Sequence, residues 1–271
     1  DITIDEVKRR LDSYYEQQAP RAPDDDGTEE ADKVSARIAE ILSEQTFSFT
    51  PAEYINVHGR LFADIYSHAG KIRDYNITKN EWVLDGETVL YAGADSIKSA
   101  LEYDFSQERD FDYKDLSNQE KVEHIAQFIS SIWQIHPFAE GNTRTTAVFA
   151  IKYLRAFGFS IDNEPFARDS RYFRNALVRA NYNNLARKIY STNKYLDMFF
   201  ANLLFGENYQ LSNRKLHIRY SEKLGVNEDT PNMLGVKEGE KLGVKLSKNQ
   251  LGIVALITED PQITIKGMAA Q

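Results

Sequence analysis

The sequence predicts an all-α fold: a helical core carrying one β-hairpin, followed by a C-terminal winged-helix-like unit that reads as a truncated helix-turn-helix. Three observations predict it. Apolar residues recur at helical spacing through most of residues 30–205. Capping signals stand in front of the longest of these runs. One stretch alone, residues 81–91, sets β-formers on either side of an Asp-Gly turn.

Taken in order, Val7, Leu11 and Tyr14/Tyr15 mark a short helix over residues 5–18. Two prolines, an acidic run and Gly27 then predict a solvated break over residues 19–27, so that residues 1–29 form an N-terminal helix and linker. Val34, Ile38 and Ile41/Leu42 mark the first helix of the core. Thr50-Pro51-Ala52-Glu53 combines a capping box with proline at the first helical position, and the helix it opens is expected to end at Gly70. Asp85-Gly86 supplies the positive φ angles of a type I′ turn between Trp82-Val83-Leu84 and Thr88-Val89-Leu90. Ser117 to Glu120 form a second capping box, before a stripe of Ile125, Phe128, Ile129, Ile132 and Trp133. The next helix, from Arg144 to Gly158, is apolar on nearly all sides through Ala147-Val148-Phe149-Ala150-Ile151 and should lie buried at the centre. Residues 206–271 form the last unit. There Ser247 to Gln250 open one helix and Thr264 another, and the chain reaches Gln271 where a recognition helix would follow.

Composition narrows the chemistry. The 271 residues are 42% hydrophobic and 27% charged, ordinary for a globular protein with a sizeable core. With no cysteine, disulfides, thiolate catalysis and Cys-ligated zinc are excluded. No apolar run approaches a membrane span, and Asp1-Ile2-Thr3-Ile4 does not read as a signal peptide, so the expected location is the cytoplasm, with no membrane partner. A net charge of −8 disfavours a basic nucleic-acid-binding body, and residues 206–271 are close to neutral.

The informative run is His136-Pro137-Phe138-Ala139-Glu140-Gly141-Asn142-Thr143-Arg144, between the two strongest helices. Gly141-Asn142 can adopt left-handed conformations that turn backbone N–H groups inward as an anion nest. The following helix points its positive N-terminus at the same spot. Glu140 places one carboxylate where Mg²⁺ can bridge it to phosphate oxygens. Arg144, in the first turn, can grip further phosphate oxygens. His136 is a base suited to neutral pH. A lone histidine is more often structural and a Gly-Asn pair is usually just a turn. Together, in this order at a helix–loop–helix junction, they describe a phosphate site with a base beside it. His58, His68, His124 and His217 show no metal-ligand spacing.

This run resembles the Fic signature, His-Pro-Phe-x-(Asp/Glu)-Gly-Asn-x-Arg-x-x-Arg, at every defined position but the last. The resemblance extends over roughly residues 30–205. Ala69 to Arg73 look like the segment leading to the family's flap, residues 81–91 take the flap position, and Tyr172–Ala176 with Ala180-Asn181-Tyr182-Asn183 look like the nucleotide-side helix region. The resemblance implies a bacterial Fic-type transferase that moves AMP from ATP, with Mg²⁺, onto a Ser, Thr or Tyr hydroxyl of a target protein or of itself. By similarity His136 is the base, Arg144 steadies the departing pyrophosphate, Glu140 holds Mg²⁺, and Gly141, Asn142, Thr143, Arg144 and Asn181 contact the nucleotide. Trp82, Val83, Leu84, Thr88, Val89 and Leu90 form the flap that docks the target by strand addition. A Fic fold using another nucleotide or phosphoryl transfer is the enzymatic alternative; Thr143 speaks against the Doc-like branch, which has lysine after Gly-Asn. DNA bound through the C-terminal unit and a second copy of the chain are the further partners considered.

Two departures stand out. Ala147 replaces the signature's last arginine, which binds the γ-phosphate in the family. The family's inhibitory helix, (Ser/Thr)-x-x-x-Glu-(Gly/Asn), has only a displaced counterpart in Ser35 to Glu40, where the glutamate comes one residue late and is thereby turned by about 100°. Glu40, with Ser35, is the inhibitory candidate.

Overall fold

In the computed structural model the backbone is described over residues 25–219 and the side chains from residue 29. The expected helix over 5–18 and the helix-turn-helix signals at 247–264 lie outside these residues. Nine α-helices are present among the described residues: α1 (Asp25–Ser43), α2 (Pro51–Leu61), α3 (Ile97–Arg109), α4 (Asn118–Ile135), α5 (Asn142–Ala156), α6 (Glu164–Arg168), α7 (Ser170–Ala180), α8 (Lys194–Phe205) and α9 (Asn213–Leu216). The fold is all-α, as expected, and the described residues hold no strand.

The capping signals act as read. Thr50 Oγ1 accepts from the Glu53 N–H, with Pro51 at the start of α2. Ser117 and Glu120 satisfy each other's backbone reciprocally at the start of α4. α5 is central: Val148, Phe149, Ala150, Ile151 and Leu154 are all buried. α4 packs on α3, α5, α7 and α8, while α2 and α1 cover another face of α5. Phe49, Phe105, Phe128, Phe149 and Tyr153 meet in the core as tilted and edge-to-face pairs.

α1 runs parallel to α5. Lys152 donates to the Ile41 carbonyl and Arg155 to that of Leu42, so two α5 cations satisfy the C-terminal end of α1. At the other end, Glu30 pairs with Arg144.

Four expectations are corrected. Residues 25–27, read as the end of the break, are the first residues of α1. α2 ends at Leu61, nine residues before Gly70, because the chain leaves the helix at Phe62 and Asp64 takes φ 59°. Gly70 instead crosses the face of α2 at Gly59, where a Cβ would stand 3.1 Å from the Gly59 Cα. The core does not stop at 205, since Leu216 and Ile218 belong to the main apolar cluster. Finally, residues 81–91 are not a β-hairpin. Asp85 and Gly86 do have positive φ, but Trp82–Leu84 form a 3-10 turn, and the backbone bonds Glu81 N–H to Glu87 O, Gly86 N–H to Glu81 O and Glu87 N–H to Leu84 O close a turn without continuing as a ladder. Val83 and Leu84 are both fully buried. A strand would send neighbours to opposite faces, whereas a turn of helix lets both enter the core.

Candidate functional site

The loop between α4 and α5 is closed by its own side chains. α4 ends at His136, which takes a left-handed conformation with φ 50°. Asn142 Oδ1 accepts from the Phe138 N–H at 3.0 Å, and its Nδ2 donates to the Phe138 carbonyl at 2.8 Å. Gly141 has φ 80° and caps α5. A Cβ there would lie 2.4 Å from the Phe62 ring, so glycine is required by both the dihedral and the neighbour. Gly141→Ala should lower stability by roughly 1–3 kcal/mol and displace the loop, read by denaturant titration.

This geometry leaves the first N–H groups of α5, from Asn142 to Arg144, without intrahelical acceptors. They open on a cavity of about 450 Å³ lined by Lys79, His136, Glu140, Gly141, Asn142, Thr143, Arg144, and by Ser170, Arg171 and Arg174 of α7. Four cations and one carboxylate face one small volume, beside a helix N-terminus. That electrostatic pattern suits a polyphosphate.

His136 is only 4% exposed, yet it contributes to this cavity. Its Nδ1 lies 3.3 Å from the Trp133 carbonyl. A carbonyl only accepts, so Nδ1 carries the proton and Nε2 keeps the lone pair. The ring packs on Tyr91 at 4.2 Å and edge-on to Trp133. Burial, then the Lys79 ammonium, push His136 down to about 3. The neutral, basic form is therefore the resting form at pH 7.

The remaining groups are held in place. Lys79 Nζ donates to Glu140 Oε1 at 2.9 Å. Arg144 pairs with Glu30 at 2.7 Å, donates to the Tyr66 hydroxyl at 3.0 Å and lies over the Phe62 ring. Arg73 is buried and spends its guanidinium on carbonyls, those of His136, Tyr75, Ala92 and Ile135.

Comparison with known proteins agrees with this geometry. The model of the Fic/DOC family matches residues 48–154, from just before α2 to the end of the buried part of α5. The chain carries a Fic/DOC-family domain. Among curated relatives, a probable protein adenylyltransferase, y4lH of Sinorhizobium fredii, is 28% identical over 167 residues, 60% of this chain and 82% of that protein. The protein adenylyltransferase VbhT of Bartonella schoenbuchensis is 29% identical over 106 residues, 39% of this chain and 21% of its own length. Among solved structures, BepC of Bartonella tribocorum with bound AMPPNP superposes with TM-score 0.53 at 21% identity, covering 67% of this chain and 87% of that one. The N-terminal Fic domain of a Bartonella quintana cell filamentation protein with bound ADP gives 0.54 at 20% identity, covering 69% and 88%. These structural likenesses establish the fold.

Within the Fic domain, His136, Glu140, Gly141, Asn142, Thr143 and Arg144 all meet at one cavity. Several expected details differ. Only Gly141 is left-handed; Asn142 is the first helical residue, and its side chain closes the loop rather than reaching into the cavity. The Thr143 hydroxyl accepts from the Trp133 indole. Asn181 is not among the lining residues: it caps the far end of α7 and donates to Ser130 and Leu177. The same helix instead offers Ser170, Arg171 and Arg174 from its first turns. Of the expected docking residues, Val83, Leu84 and Val89 are buried and Thr88 is half-buried with its hydroxyl accepting from the Lys79 N–H, which leaves Trp82 (49% exposed) and Leu90 (84%) on the surface. Ser35 donates to the Ala31 carbonyl within α1, and Glu40 lies on the Arg60 side of α1, ten residues from the Glu30 that Arg144 binds. Ten residues of helix span about 15 Å, so Glu40 is not the partner of the signature.

Sequence reading missed Lys79, Arg73, Glu81 and Glu30. Glu81 is buried and binds Arg174 through both carboxylate oxygens while accepting from the Tyr91 hydroxyl, which ties the flap segment to α7 and backs the ring that packs on His136. Lys79 and Glu81 carry no motif of their own, and only the fold brings them to the loop. Among the described residues no helix is long and apolar enough to cross a membrane.

Proposed function

We propose that this chain is a protein adenylyltransferase that moves AMP from ATP to a side-chain hydroxyl of a protein. The observation that carries this reading is the single cavity in which the neutral His136 ring, the N-terminus of α5 and four cationic side chains converge. The family match and the two adenylyltransferase relatives support it.

In the reaction, Nε2 of His136 accepts the proton of the target hydroxyl. Its oxygen forms a bond to the α-phosphorus, and the bond from that phosphorus to the bridging oxygen of pyrophosphate breaks. Pyrophosphate leaves with the electron pair. The N–H groups at the start of α5 face the phosphate oxygens, and Arg144 and Lys79 balance the charge that builds on the departing group. Lys79 and Arg171 supply cations to a site whose signature has Ala147 in place of arginine.

Among the described residues no three acidic or histidine side chains cluster as a metal site. The donor set fits Mg²⁺ nonetheless, because this ion is commonly held by one or two carboxylates together with substrate phosphates. Glu140 would hold it, and the ion would supply charge neutralisation between phosphates. For the target, Leu90 offers an exposed apolar side chain.

The deciding experiment incubates the protein with Mg²⁺ and ATP radiolabelled at either the α- or the γ-phosphorus, followed by mass spectrometry. Label transferred from the α position with a mass gain of one AMP is expected. Transfer from the γ position alone would sink the reading in favour of a kinase-like activity. Glu30 bears on the same site, since it pairs with Arg144, one of the lining cations. Glu30→Gln should tighten nucleotide binding by about two- to five-fold in calorimetry, the worth of one partly exposed ion pair; unchanged or weaker binding would mean the pair does not compete with phosphate.

A further inference from the structure

The signature loop rests on a histidine outside the signature. His58, in α2, is fully buried. Its ring stacks flat on Phe138, centroids 3.7 Å apart at 9°. Gly70 N–H donates to its Nδ1 at 2.9 Å. Since Nδ1 accepts, the ring proton is on Nε2, and Nε2 donates to the Glu140 carbonyl at 3.0 Å. Phe62, the residue that caps the end of α2, fills the space beside Gly141.

We propose that His58 is a positioning residue for Glu140: through one fixed tautomer it relays the Gly59–Gly70 crossing to the backbone of the residue whose carboxylate would hold the metal. The role rests on the adenylyltransferase reading for its consequence, but not for its geometry. The Glu140 carboxylate is largely exposed and has one side-chain partner, Lys79, which must yield when a cation binds. The backbone anchor is then what keeps Glu140 facing the cavity. Partners that orient a metal-holding residue are commonly worth 10- to 100-fold in metal affinity.

The two ring nitrogens can be replaced separately. In His58→Gln the side-chain amide reaches the position of Nε2 and can still donate to the Glu140 carbonyl. In His58→Asn the amide oxygen stands near Nδ1 and can accept from Gly70, but nothing reaches Glu140. His58→Phe keeps the stack on Phe138 and loses both bonds. The full chain is titrated with Mg²⁺ at fixed ATP, by calorimetry and by turnover. The apparent Mg²⁺ affinity should fall about tenfold or more in the Asn and Phe variants and stay within about threefold of wild type in Gln. Asn and Gln variants with equal metal affinity would overturn the proposal. Nitrogen-15 NMR of the wild-type histidines supplies a measurement that needs no variant to fold and no activity. It should show His58 neutral with its proton on Nε2; a proton on Nδ1 would equally refute the relay. If wild-type protein fails to transfer AMP while the binding and NMR results hold, the adenylyltransferase reading falls and the positioning role stands.

Discussion

On the adenylyltransferase reading, His136→Ala is expected to lower AMP transfer by about 10²- to 10⁴-fold, the range a general base contributes, while leaving nucleotide binding and thermal stability near wild type. The ring's only polar partner among the described contacts is the Trp133 carbonyl at 3.3 Å, so its removal strands little. Activity within a few-fold of wild type would take the base role from His136. The pH dependence follows from the same surroundings. Burial and the nearby Lys79, Arg73 and Arg174 charges disfavour the imidazolium, so the free protein keeps the basic form far below the ordinary histidine range. kcat/KM should therefore not fall through pH 6.5, and should be lost only as pH drops towards the folded value of about 3. An inflection near 6.5 would mean the ring is more hydrated than the structure shows. Stability has the same sign. His136 and His58, the latter held near 4 chiefly by burial, bind protons more readily unfolded than folded. Their contribution is complete above about pH 6.5 and declines as pH falls through that value towards 4, which a calorimetric pH series measures.

Arg73→Met is expected to destabilise the fold by about 3–5 kcal/mol, the loss of two or more charged hydrogen bonds to buried carbonyls. The guanidinium donates to the carbonyls of His136, Ile135, Tyr75 and Ala92, and the Arg73 N–H donates to Pro137. It thereby closes the end of α4, holds His136 in its left-handed conformation and ties that turn to the flap segment. Arg73→Lys should recover only part of the loss, because one ammonium cannot span the fork. Chemical denaturation measures the first effect. Residual activity in the folded fraction measures the second, and an Arg73→Met protein with wild-type stability would show that solvent can replace all four bonds.

Helix after helix was legible because its signals are local. The capping box at Ser117, the Thr50-Pro51 start and the all-round apolar run of α5 each act within a few residues, and each appears where it was read. The turn at Asp85-Gly86 was legible too, and both residues do take positive φ. The arms of that turn were not. Whether Val83 and Leu84 alternate or coil depends on where the core lies, and the core claims both. The hydrogen bonds of Asn142 and Asn181 were not legible either, since an amide side chain takes the nearest backbone partners: Phe138 for one, Ser130 for the other.

His136, Glu140, Gly141, Asn142 and Arg144 lie within nine consecutive residues, so sequence alone determined the family, the candidate phosphate junction and the candidate base. Tertiary structure alone decided which groups complete that junction. Lys79 and His58 lie 61 and 82 residues from Glu140, Arg73 lies 63 from His136 and Glu30 lies 114 from Arg144, and no periodicity or spacing encodes such pairings. They arise from helix packing, because a side chain buried or steered by one helix must spend its polar atoms on whatever the neighbouring helix presents.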